Sequence, residues 1–104
     1  MDALNPVSER RQGKRIARAV PLSLHTGQRT LPVRTVDSSD GGVLVVSPEA
    51  LSRKLGIVLS NPSSGRRASG WVVRCATGAV PGTFEVAIQF LEPSPSFWGA
   101  PESA

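Results

Sequence analysis

The clearest pattern in the chain is Phe84-Glu85-Val86-Ala87-Ile88-Gln89-Phe90, in which Phe84, Val86, Ile88 and Phe90 share one face and Glu85, Ala87 and Gln89 the other. A period of two marks a strand with one buried face. The same period begins at Ile16: Ile16, Val20, Leu22 and Leu24 fall on one face, interrupted by Arg18, and the run ends at His25-Thr26-Gly27-Gln28. In a second strand Leu31, Val33 and Thr35 alternate with Pro32, Arg34 and Val36, and Asp40-Gly41 then predicts a hairpin into a third strand over residues 43–46. Leu55, Ile57 and Leu59 predict a fourth strand, closed by Asn61-Pro62-Ser63-Ser64-Gly65. The fifth covers residues 66–75, with Trp71, Val73 and Cys75 alternating against Gly70, Val72 and Arg74; Trp71 is assigned to the inner face and Gly70 marks a bulge or bend.

Between the third and fourth strands, Ser47, Pro48 and Gly56 suit the N-cap, first position and stop of a helix of a turn or two, with a wide loop as the alternative. Phe97 and Trp98 are the apolar anchors of a Pro-rich tail and are expected to cap one end of the fold. Six short strands at roughly ten-residue spacing predict an all-β fold, a small six-stranded antiparallel β-barrel. It is expected to span residues 16–99, preceded by a flexible basic arm over residues 1–15 and followed by a short tail over residues 100–104.

Charge adds a partner class to this picture. Lys+Arg number 12 against 8 Asp+Glu, for a net charge of +4, and ten of the twelve cations are Arg. Arg prefers flat acceptors that it can meet with two hydrogen bonds, such as phosphate and guanine. The arm concentrates these cations: Arg10, Arg11, Lys14, Arg15 and Arg18 lie within residues 8–18, opposed only by Glu9. With little apolar content before Ile16, the arm has too little surface to bury and is expected to be mobile until something holds it. The single cysteine, Cys75, excludes an internal disulfide, and no apolar run approaches the roughly 18 residues of a membrane span. A cytoplasmic protein is expected.

Two short motifs carry candidate chemistry. Arg11 and Arg15 form Arg-x-x-x-Arg, directly preceded by Arg10; at this Arg content one such spacing arises by chance about once, so alone it reads as a solvated tail. Asp37, Ser39 and Gly42 form Asp-x-Ser-x-x-Gly at a strand-to-strand turn, a pattern that, with Asn allowed in place of Asp, is expected by chance only about 0.06 times in a chain of this composition. A plain hairpin turn is the bland explanation for the second. The two together, some twenty residues apart and flanking the first strands, resemble the PilZ domain, the bacterial receptor module for cyclic di-GMP. The resemblance extends to the six-strand layout, the apolar Phe84 to Phe90 strand and the closing Phe97-Trp98-Gly99.

What the resemblance implies is a cyclic di-GMP receptor whose arm folds onto nucleotide held against the barrel, with Arg10, Arg11, Arg15, Asp37, Ser39 and Gly42 as ligand-binding residues. The chemistry agrees. Arg meets phosphates and the O6/N7 edge of guanine, a carboxylate accepts from the guanine N1 and N2 hydrogens, a hydroxyl bonds phosphate or base, and glycine allows close approach. An Arg before the motif implies an intercalated pair of ligand molecules, with Arg10 stacked on the second. Members often carry a helix after the barrel, which here is expected to be short or missing, and Gly13 loosens the arm.

No paired acid and base, activated nucleophile or metal cluster suggests catalysis, and no cofactor is expected. His25 reads as a turn-adjacent surface residue and Cys75 as a small buried one. The expected partners are cyclic di-GMP and an unidentified downstream protein, without nucleic acid. The alternatives are a small basic barrel binding single-stranded nucleic acid, against which the scarcity of outward aromatics counts, and a PilZ-like adaptor that works through protein contacts alone.

Overall fold

Seven strands form where the alternation predicted six, because the first run divides. The structure, a computed structural model, describes residues 15–27 and 29–99. The strands are β1 (Ile16–Ala17), β2 (Pro21–Thr26), β3 (Arg29–Ser39), β4 (Gly42–Ser47), β5 (Gly56–Asn61), β6 (Arg66–Thr77) and β7 (Phe84–Phe90), followed by a 3-10 turn at Pro95–Trp98. All pairings are antiparallel, and β2, β3, β4, β7, β6 and β5 close into a six-stranded ring. The short β1 lies outside that ring, added to the far end of β3 through Ile16–Ser38 and Ala17–Asp37. Ile16 was expected on the inner face, but at this barrel margin it is 47% exposed.

Closure buries the predicted inner faces. Leu22, Leu24, Leu31, Val33, Val43, Val45, Ile57, Leu59, Val86, Ile88 and Phe90 form one core, and Phe97 of the 3-10 turn is completely enclosed with them. Phe97 packs against Phe90 at 5.7 Å between ring centroids and meets Trp98 edge-on at 4.8 Å. Its carbonyl accepts hydrogen bonds from Asn61 Nδ2 at 2.9 Å and Ser64 Oγ at 2.8 Å, so the turn plugs the barrel end as the two aromatics predicted.

In β6 the inward parity is the reverse of the expected one. Ala68, Gly70 and Val72 are buried, while Trp71 is only half-buried and Val73 is exposed. Gly70 is what fixes this: a Cβ there would sit 2.3 Å from the carbonyl oxygen of Gln89, so β6 and β7 approach too closely for any side chain. A bulge between Val72 and Arg74 then brings Cys75 back toward the core, where it is partly rather than fully buried.

The segment between β4 and β5 is a loop and contains no helix. Its backbone is committed to β6: Lys54 N–H donates to the Val72 carbonyl at 2.7 Å and Val72 N–H to the Leu55 carbonyl at 2.9 Å. Lys54, with φ of 74°, takes a left-handed conformation two residues before Gly56, which was expected as the stop of the helix. Ser47 is part of β4, and its hydroxyl accepts from Glu49 N–H and donates to the Glu49 carbonyl, closing a local turn instead of a helix. A helix this short is marginal alone, and strand pairing outcompetes it. No helix among the described residues is long and apolar enough to cross a membrane.

Candidate functional site

The site is built on the end of β3. A bulge between Thr35 and Asp37 inserts Val36, so the strand's parity changes just before the Asp-Ser-Ser segment. Ser38 is fully buried opposite Val43 of the core, and Asp37 and Ser39, on either side of it, share the outer face. Asp40 and Gly41 turn the chain, and Ser39 pairs with Gly42 at the start of β4. The turn is clamped from outside by Phe90 N–H on the Gly41 carbonyl at 2.9 Å and Ser94 N–H on the Asp40 carbonyl at 3.1 Å.

Arg15 reaches this corner. Its guanidinium forms an ion pair with the Asp37 carboxylate, with the two side chains 51% and 29% exposed. The juxtaposition follows from β1, which pairs Ala17 with Asp37 and so carries the end of the arm onto the motif strand. Beside the pair lies an open trough of about 320 Å³, lined by Arg15, Gly41, Gly42, Ala87, Gln89 and Leu91 among others.

Ser39 is 4% exposed, and its hydroxyl has no hydrogen-bond partner among the described residues. A buried hydroxyl without a partner is costly and needs a reason. Gly42 is fixed by packing: a Cβ there would meet the Ile88 carbonyl oxygen at 2.5 Å, so the close approach it permits is that of β4 to β7. Of the residues expected from the sequence, Arg15, Asp37, Ser39 and Gly42 thus converge on one corner, and Arg10 and Arg11 lie outside the described residues.

A family model for the PilZ domain matches residues 9–97 of the chain. The chain belongs to the PilZ domain family. Curated proteins yield no match. PilZ domains are ligand-binding receptors for cyclic di-GMP rather than enzymes, and the closed six-stranded ring is the fold that the resemblance implied.

Arg18 is the residue that alternation did not flag. It interrupts an apolar face, yet its Nε donates to the Ser38 hydroxyl at 2.7 Å and its guanidinium carbon lies 4.5 Å from the centre of the Trp98 ring. Its main chain is equally committed, with the N–H donating to the Val36 carbonyl at 3.1 Å and the carbonyl accepting from Thr35 Oγ1. The available signal was the interruption itself, since a charge on a buried face requires partners. His25, expected as a plain surface residue, is hydrogen-bonded to the Thr30 and Ser60 hydroxyls across β2's two neighbours. Among the described residues no group of three His, Cys, Asp or Glu side chains could hold a metal ion.

Proposed function

We propose that this PilZ domain is a cytoplasmic cyclic di-GMP receptor that grips the nucleotide between its arm and the Asp37 corner and signals to a downstream protein through the ordering of that arm. The observation that carries the reading is the meeting of Arg15 and Asp37, residues from the two separate motifs, near the buried Ser39 hydroxyl that has no partner among the described residues. Asp37 accepts from the guanine N1 and N2 hydrogens, Ser39 supplies its unspent hydrogen bond, and Arg15 turns from the carboxylate to a phosphate or to the guanine O6/N7 edge. The exchange is inexpensive. An exposed ion pair contributes about 0.2 to 1 kcal/mol, whereas each hydrogen bond involving a charged group contributes about 1.5 to 3 kcal/mol.

Arg11 completes the arm's grip, and Arg10 stacks on the guanine of a second, intercalated ligand molecule. Fixing each arm residue costs roughly 1 to 2 kcal/mol, so the arm closes only when several such contacts form together. Its change from free to held alters the surface offered to a partner protein.

Calorimetric titration with cyclic di-GMP tests the reading. Saturable binding of two ligands per chain is expected, abolished in Arg11→Ala and Asp37→Ala and unchanged in Arg66→Ala. One ligand per chain would remove the role given to Arg10. Equal affinity for any oligonucleotide, falling steeply with salt, would overturn the receptor reading in favour of single-stranded nucleic acid.

A further inference from the structure

The outer face of the barrel carries one continuous cross-strand row that starts at Asp37. Asp37 pairs with Leu44, Leu44 with Ala87, and Ala87 with Arg74. Two bulges create this alignment: one extra residue in β3, Val36, and one in β6, Val73, sit at the two ends of the row. A bulge places two residues opposite one and re-aims the side chains beside it. On β6 it leaves both Val73 and Arg74 exposed opposite the small Ala87. With neighbouring strands about 4.8 Å apart, Asp37 and Arg74 stand roughly 14 Å apart along the sheet.

The surface between them is hollow. The trough at Arg15 is floored by Gly42 and Ala87 and extends to Val73. Val73 also lines a second hollow of about 500 Å³, together with Leu51, Arg53, Arg74 and Cys75. The two hollows therefore share Val73 and both carry cations, Arg15 in the first and Arg74 with Arg53 in the second. Among the described residues neither Arg53 nor Arg74 has a carboxylate partner.

From this we infer that Arg74 is a specificity-determining contact for the far half of a purine dinucleotide, holding its second guanylate unit while Asp37, Ser39 and Arg15 hold the first. The inference rests on the receptor reading and extends it to a residue outside both motifs. A single phosphate or one base cannot span both ends of the row; a ligand with two anionic, planar-edged halves can. Arg53, on the adjoining loop, adds positive potential to the same end without sharing the row.

Titration of wild type and of Arg74→Ala, Arg74→Lys, Asp37→Ala and Arg66→Ala with cyclic di-GMP, each checked by thermal melting, tests this. Arg74 is exposed, so its variants are expected to melt with wild type. Arg74→Ala is expected to lose about tenfold in affinity, the scale of one bidentate contact, and Arg74→Lys to recover only part of it, since an ammonium cannot reproduce the planar fork. If wild type binds and Asp37→Ala does not, yet Arg74→Ala binds as wild type does, the role of Arg74 is refuted while the receptor reading stands. If wild type itself does not bind, both fall.

Discussion

Arg18 and Trp98, eighty positions apart in the chain, are stacked, with the guanidinium carbon 4.5 Å from the ring centre and Nε on the Ser38 hydroxyl at 2.7 Å. One side chain thus joins three parts of the molecule: the end of the arm, the motif strand and the plug that seals the barrel. Trp98 in turn rests edge-on against the enclosed Phe97. Arg18 directly follows β1, three positions after the Arg15 that meets Asp37.

Removing that side chain is expected to cost stability twice. Arg18→Ala loses a cation–π contact of about 0.5 to 2 kcal/mol and leaves the fully buried Ser38 hydroxyl without this donor, for a further 1 to 3 kcal/mol or so. Urea unfolding followed by Trp fluorescence should show a midpoint shift equivalent to about 2 kcal/mol. A variant that unfolds with wild type would mean that the stack holds nothing in place.

Glycines separate into two kinds. Gly42→Ala and Gly70→Ala would each drive a Cβ into a backbone carbonyl, 2.5 Å from Ile88 O and 2.3 Å from Gln89 O, where neither partner is a side chain that can swing away. Each should destabilise by about 2 kcal/mol, which lowers the melting temperature of a domain this size by roughly 10 °C. Gly56→Ala meets nothing within 4 Å and should melt with wild type or slightly above it. Calorimetric melts of the three variants decide whether packing against β7 is what requires glycine at Gly42.

Ser39 offers a trade between stability and binding. Its hydroxyl is buried with no partner among the described residues, so Ser39→Ala removes an unsatisfied group and should leave the melting temperature unchanged or raise it. The same substitution should weaken cyclic di-GMP binding by roughly tenfold, the scale of one hydrogen bond to a charged group. A loss of stability with no change in binding would assign the hydroxyl to the fold and not to the ligand.

The local sequence was sufficient for whatever depends on neighbours along the chain. Period-two alternation located the inner residues of β2, β3, β5 and β7, Asp40-Gly41 located the hairpin, and Phe97 and Trp98 located the plug. The resemblance carried by the two short motifs named the family, and the second motif singled out Asp37, Ser39 and Gly42, which lie together at the β3–β4 turn. Alternation failed in β6, where Trp71 was assigned inward, because strand parity there is decided by a partner: β7 passes so close to Gly70 that only glycine can face it, and the inserted Val73 shifts everything after it. Of the short helix and the wide loop that the sequence left open after Ser47, the loop forms for the same reason, since its peptide groups at Lys54 and Leu55 are claimed by Val72, far away in sequence. Likewise, no spacing along the chain places Arg15 on Asp37, Arg18 on Trp98, or Arg74 in line with Asp37. Those relations arise only when the barrel closes, because register, bulges and close backbone approach are properties of paired strands and not of any one of them.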